Sequence, residues 1–198
     1  MTITTYKWSI EEWHELVNTG LLEGKSVEFL EGEIIEVSPE GIEHSYTNRS
    51  VVKYLRKLFE QKAEIIQAQP ITLDNSEPEP DITIARLPES IYRQHHPYPQ
   101  DIYWLIEVRP RAAVRRKGTR TFEISNKTLK KDTEDKIITY ARNGIPEYWV
   151  IDLVNKKLIT HTQIQNNSYS LVTEHRTGTV FSLAFPNIEI SLNKLLLF

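Results

Sequence analysis

Asp132 to Leu153, DTEDKIITYARNGIPEYWVIDL, holds a helix, its terminator and a buried strand in one uninterrupted run. The helix reads from Thr128 to Arg142 and closes at Asn143-Gly144 and Pro146, because glycine accepts the left-handed cap and proline cannot continue the helical ladder. Glu147 to Leu153 (EYWVIDL) is β-prone and almost continuously apolar, the pattern of a strand covered on both faces. A helix delivered straight into such a strand argues for an α/β or α+β chain, with helices packed on a central mixed sheet. Asp132, Lys136 and Tyr140 follow at i, i+4 and i+8 and therefore share one face of that helix.

Upstream, Ser9-Ile10-Glu11-Glu12 is a capping box that opens a short helix running through Trp13, Leu16 and Val17 to a stop at Gly20. Ser26 to Val37 (SVEFLEGEIIEV) reads as a hairpin turning at Glu31-Gly32. From Ile42 to about Gln61, Tyr46, Val51, Leu55, Leu58 and Phe59 mark the apolar face of a long helix. Four strand-like runs follow, Glu64 to Gln69, Ile71 to Asp74, Asp81 to Ala85 and Ile102 to Val108, each fenced by proline or polar turns. Downstream, Lys157 to Gln163, Ser168 to Glu174 and Val180 to Leu183 alternate as a C-terminal β-meander, with Asn166-Asn167 as a turn.

The 198 residues, 39% hydrophobic and 26% charged, suit one well-filled domain spanning 1–198. The absence of cysteine excludes disulfides, thiolate metal sites and cysteine nucleophiles, so any metal must be held by oxygen or imidazole. Met1 to Ile10 lacks the pattern of a secretory signal and no apolar run approaches the roughly 20 residues of a spanning helix, so a cytoplasmic chain without membrane contact is expected. The net charge of −3 is unevenly spread: Arg109 to Lys136 carries ten Lys/Arg against four Asp/Glu, leaving −9 for the rest. Such a basic block follows a phosphate backbone or simply forms a solvated loop; charge alone does not decide.

Two carboxylates stand where chemistry is plausible. Pro80-Asp81 begins a strand, and Glu107 interrupts the otherwise apolar Tyr103 to Val108. A charge in such a strand must be solvated, paired or bound to a cation. Two acids converging at a sheet end suit Mg²⁺, a hard ion that takes oxygen ligands; equally, Asp81 could cap a turn and Glu107 could pair with an arginine.

Glu28 to Ile34, Ser38-Pro39, Glu43-His44, Pro80-Asp81-Ile82, Leu105 to Val108 and the Asp132 to Asp152 block, in that order, resemble the Uma-type putative restriction endonuclease family of the PD-(D/E)xK nuclease-like superfamily. The resemblance runs from about Trp8 to Tyr169. It implies a restriction-endonuclease-like core, a homodimer, and a Mg²⁺-dependent (or Mn²⁺-dependent) site that cleaves DNA. Carried over, Asp81 and Glu107 are the metal ligands and Lys136 is the catalytic lysine, supplied from the helix. His44 resembles the family histidine near the site, and Glu28 a supporting outer acid. The place where the standard motif has lysine is Arg109, which holds a phosphate charge but stays protonated.

Arg109 to Ile124 (RPRAAVRRKGTRTFEI) reads as a basic insertion between the motif strand and the lysine helix. The likeness of Phe122-Glu123-Ile124 to Ile106-Glu107-Val108 leaves Glu123 as an alternative to Glu107, although Glu107 belongs to the more complete strand. Two functions follow: a Mg²⁺-dependent DNA endonuclease, or a catalytically inactive DNA-binding or assembly protein whose site the insertion has spoiled by displacing Lys136.

Overall fold

The computed structural model describes residues 4–37, 39–109 and 135–197. The insertion from Pro110 onward, with Glu123 and Asp132, lies outside the described residues. Helix α1 spans Ile10–Asn18 and opens with the expected capping box: Ser9 Oγ accepts from the Glu12 amide at 3.2 Å, and Glu12 Oε2 accepts from the Ser9 amide at 2.8 Å. Strands β1 (Val27–Leu30) and β2 (Glu33–Glu36) form the antiparallel hairpin. Its two turn residues, Glu31 and Gly32, have φ of 53° and 74°, as a two-residue hairpin turn requires. Helix α2 (Ile42–Leu58) is followed by β3 (Glu64–Gln67), β4 (Ile82–Ala85) and β5 (Ile102–Arg109). Helix α3, described over 135–142, leads into β6 (Glu147–Asp152), β7 (Lys157–Gln165) and β8 (Ser168–His175).

The central sheet is mixed and six-stranded, in the order β3-β4-β5-β6-β7-β8, with β5 and β6 parallel and the other neighbours antiparallel. All six residues of β6 are buried, because both faces of the sheet are covered. On one face Val51 and Leu55 of α2 and Phe59 just beyond it pack with Ile82, Trp104, Ile106 and Trp149. On the other, Tyr140 and Ala141 of α3 and Ile145 just beyond it pack with Leu105, Tyr148 and Val150. The α3 terminus is a Schellman motif: Gly144 has φ of 76°, its N–H donates to Ala141 O at 3.1 Å, and the Ile145 N–H donates to Tyr140 O at 3.0 Å. The expected mixed sheet flanked by helices is the observed architecture.

Local departures from the sequence reading have identifiable causes. Ile71 to Asp74 is buried at Ile71 and Leu73 but forms no strand, since the Ile71 and Leu73 amides donate to Pro78 and Ser76 within an irregular turn. Tyr46 is 58% exposed, because a five-residue step to Val51 carries it off the buried stripe. The strand at β9 (Thr179–Val180) leaves the meander and pairs with β10 (Ile190–Ser191) in a separate two-stranded sheet. A short helix α4 (Leu192–Leu195) then seals the α2 face through Leu192 and Leu195.

Candidate active site

The ends of β4 and β5 create the site. Continuing their antiparallel register one step beyond Ile82 and Ile106 sets Asp81 opposite Glu107. Asp81 Oδ2 accepts the backbone N–H of Val108 at 2.6 Å, so the carboxylate closes the ladder where a backbone carbonyl would otherwise sit. The N-terminal half of α2 approaches from one side. His44 Nε2 lies 3.0 Å from Asp81 Oδ2, and His44 Nδ1 lies 3.2 Å from Glu40 Oε2. Burial alone would lower the His44 pKa, but the hydrogen bond and charge of Asp81, reinforced by Glu40, override it and raise it to about 9. His44 is therefore an imidazolium spanning two carboxylates.

The β1–β2 hairpin and α3 approach from the other side. Lys136 Nζ lies 3.3 Å from Glu28 Oε2 and 3.3 Å from Glu107 Oε1. Tyr140, one turn further along α3, donates its hydroxyl to Glu107 Oε1 at 3.2 Å. Burial, then the Glu107 charge, pushes the Tyr140 hydroxyl well above its ordinary range, so it remains a donor. Asp81, His44, Glu28 and Lys136 are each less than a tenth exposed, and at such burial charged groups need the partners that these four provide for one another.

All five residues singled out in the sequence, Glu28, His44, Asp81, Glu107 and Lys136, thus meet at one end of the sheet. They meet as two linked groups, Glu40–His44–Asp81 and Glu28–Lys136–Glu107–Tyr140, joined where Asp81 grips the amide that follows Glu107. Among the described residues, the three-member group whose ligand atoms all lie within 4.8 Å of one another is Glu40–His44–Asp81. Arg109, at the standard lysine position, sits 3.9 Å from Asp152 Oδ2, directed to β6. The feared displacement of Lys136 by the insertion is not observed, since its ammonium lies against Glu107.

Sequence reasoning missed Glu40, Asn48 and Glu79. Glu40, His44 and Asn48 are spaced by four, a stripe that was readable once His44 was suspected. Asn48 is 1% exposed and brings its amide nitrogen to 3.5 Å from Asp81 Oδ1. Glu79 is exposed two residues before Asp81. Partial burial, then the charges of Glu28 and Glu40, raises its pKa, and Asp81 adds to the effect. Also unforeseen was the brace on α3: Arg142 Nη2 donates to both oxygens of Glu31 at 2.6 Å, and Thr139 Oγ1 donates to Glu31 Oε1 at 2.5 Å. Burial would raise the Glu31 pKa, but Arg142 and Thr139 outweigh it and hold the carboxyl below its ordinary range.

No helix among the described residues is long and apolar enough to cross a membrane. No curated protein sequence matches the chain. Among solved structures, a putative nuclease belonging to DUF820 from Anabaena variabilis ATCC 29413 is similar, with a TM-score of 0.59 at 16% identity over 86% of this chain and 89% of that one. That likeness shows a shared fold. A family model described as Uma2, putative restriction endonuclease, matches residues 10–118 and 120–193, nearly the whole chain. The chain therefore belongs to the Uma2 putative restriction endonuclease family.

Proposed function

We propose that this protein is a Mg²⁺-dependent DNA endonuclease that hydrolyses phosphodiester bonds, a single cytoplasmic nuclease domain working as a homodimer. The observation that carries the reading is the pairing of Asp81 with Glu107 across the ends of β4 and β5, with the Lys136 ammonium 3.3 Å from Glu107. The donor set fits a hard divalent ion: carboxylate oxygens dominate it, and among the described residues the buried Asn48, whose amide nitrogen faces Asp81, has no hydrogen-bond partner for its Oδ1. Asp81 and Glu107 would hold the ion. A divalent cation bound there polarises a phosphodiester and lowers the pKa of water.

The remaining chemistry belongs to the chain. Lys136 supplies a fixed positive charge for the attacking hydroxide and the charge that develops on phosphorus. Glu28 holds Lys136 from behind, and Tyr140 fixes the Glu107 carboxylate. His44 orients Asp81, whose position is set by the Val108 amide. The Arg- and Lys-rich insertion supplies phosphate contacts, and a two-fold dimer presents two sites to the two strands of a duplex.

The test is cleavage of mixed plasmid and linear DNA with Mg²⁺ or Mn²⁺, with Asp81→Ala, Glu107→Gln and Glu123→Gln as comparisons. Asp81→Ala and Glu107→Gln should abolish cutting while Glu123→Gln leaves it. Undiminished activity in Asp81→Ala would refute the site. Sedimentation at tens of micromolar should give a dimer; a monomer would refute the paired arrangement.

A further inference from the structure

Past Glu107, the end of the central sheet carries a row of charged side chains. Strand pairing sets Arg109 of β5 opposite Asp152 of β6, and Asp152 opposite Lys157 of β7. One step beyond the pairing of Leu158 with His175, Lys157 stands opposite Arg176 at the end of β8. Residues two apart on a strand share a face, so Arg109 lies on the same side of the sheet as Glu107, one step nearer the strand end. Directly opposite residues also share a face, as Leu105 and Tyr148 do in the α3-side core. The row therefore borders the site on the side where Lys136 meets Glu107. Three strand spacings of about 4.8 Å give it a length of roughly 14 Å.

The row is cationic where the site is anionic. Arg109, Lys156, Lys157 and Arg176 outnumber the acids among them, Asp152 and Glu174, whereas in the site Glu28, Glu40, Glu79, Asp81 and Glu107 outnumber Lys136 and His44. Both acids of the row are already engaged. Asp152 is buried and accepts from the Asn155 amide at 3.0 Å and the Asn155 side chain at 2.8 Å. Glu174 is shared by Lys157 and Arg176. The two ends of the row stay open. The Arg109 side chain is 40% exposed, lies 3.9 Å from Asp152, and makes no hydrogen bond among the described residues. The Arg176 side chain is 59% exposed and is steadied by a bond from Nη1 to Asn155 O at 2.9 Å. A guanidinium held on one side and open on the other is a preorganised fork for phosphate.

We propose that Arg109 and Arg176 grip two phosphates of the DNA strand that leaves the site, so that the substrate crosses the ends of β5 to β8. The proposal rests on the nuclease reading for what happens at Asp81 and Glu107, and adds the path of the strand and its length. At about 3.4 Å per stacked nucleotide, a row of roughly 14 Å spans about four nucleotides on one side of the scissile bond. An extended polyanion fits this surface better than a folded protein does: its open cations stand at the two ends and the row contains no apolar residue. From Arg109 the chain also runs directly into the stretch that holds Arg111, Arg115, Arg116, Lys117 and Arg120.

The test is fluorescence anisotropy of a labelled short DNA duplex with the full chain, in EDTA and across a salt series, so that neither metal binding nor cleavage is required. Arg109→Gln/Arg176→Gln should weaken binding about tenfold or more and flatten the log–log salt slope by about 1.8, two phosphate contacts at about 0.9 each. Arg176→Gln alone should flatten it by about 0.9. That variant changes an exposed side chain and keeps the test sound should the double variant fail to fold by circular dichroism. Lys62→Gln is the comparison: this exposed lysine follows the end of α2 remote from His44, and its loss should leave the slope unchanged. A wild-type slope in the arginine variants overturns the row, as does an equal drop in Lys62→Gln, which would mark an effect of overall charge, or a wild type that binds no DNA. Cleavage that depends on Asp81 judges the nuclease reading separately. Such cleavage with an unchanged slope in the arginine variants overturns the row alone. A flattened slope without cleavage supports the row and overturns the nuclease reading.

Discussion

Replacing Lys136 with methionine preserves the length of its aliphatic stem and removes one positive charge from between two buried carboxylates. The ammonium is 3.3 Å from both Glu28 and Glu107, and at an effective dielectric constant of about 20 each such pair is worth roughly 5 kcal/mol of gross Coulomb attraction. Desolvation of all three groups cancels most of that in the intact protein. Once the lysine is gone, both carboxylates keep their desolvation cost and lose the share of it that the ammonium offset. Breaking a buried ion pair in this way costs about 3–5 kcal/mol. Urea denaturation at neutral pH should therefore show Lys136→Met destabilised by that amount, with an unchanged dependence on denaturant. In a Glu28→Gln/Glu107→Gln background the same substitution should cost at least about 2 kcal/mol less, since the charges it abandons are absent. A loss below about 1 kcal/mol, or one equal in both backgrounds, would refute the shared-ammonium account.

Other outcomes follow from the same geometry. Stability should fall as pH rises from 5 to 9. Burial pushes the Glu147 carboxyl from 4.5 to about 7, against the bonds it accepts from Leu183 N–H and the Trp149 indole, so the folded state binds more protons across that window and about 3 kcal/mol is lost by its upper end. His44, raised from 6.5 to about 9, contributes fully below 6.5 and loses its contribution as pH rises through 9. Thermal melts should show Glu147→Gln flattening the lower window and His44→Gln the upper; a melting temperature constant from pH 5 to 9 would contradict both. Gly144→Ala should cost about 1–2 kcal/mol from left-handed backbone strain alone, since its added Cβ meets nothing. Gly32→Ala should cost more in the same denaturation assay, because its Cβ would also meet Trp8 O and Lys7 Cβ at 3.0 Å.

Elements with a local cause were legible from sequence. The Ser9 capping box, the Glu31-Gly32 turn and the Asn143 to Pro146 terminator each state their geometry within four residues, and each appears in the fold. Asp81 and Glu107 were legible as site candidates because a charge at the end of an apolar strand demands an explanation. Lys136 was legible through helical spacing and the family resemblance together. What escaped depends on docking. Glu40 and Asn48 read as ordinary polar residues near a helix start until α2 is seen to lay that face against the end of β4. Glu31 and Arg142 are 111 residues apart, and no local pattern links a hairpin turn to the last turn of α3. Ile71 to Asp74 alternates like a strand because buried irregular chain obeys the same inside–outside rule, and only the bonds to Ser76 and Pro78 tell the two apart.

The parallel pairing of β5 and β6 obliges the chain between them to return to the end of the sheet at which β5 begins, and α3 makes the last part of that journey. Beyond Lys136, α3 is held by the Schellman cap at Gly144, the Glu31 brace on Thr139 and Arg142, and Asn143 accepting from the Asp74 amide. The ammonium is thus located by measuring backward from β6. A substitution that keeps the length of that stretch leaves the measurement unchanged. A single residue inserted between Lys136 and Gly144 would instead turn the lysine by about 100° around the helix and aim it away from Glu28 and Glu107. The direction in which the site's positive charge points is therefore set by a count of residues, and the nine positions from Lys136 to Gly144 are the stretch where that count cannot change without re-aiming it.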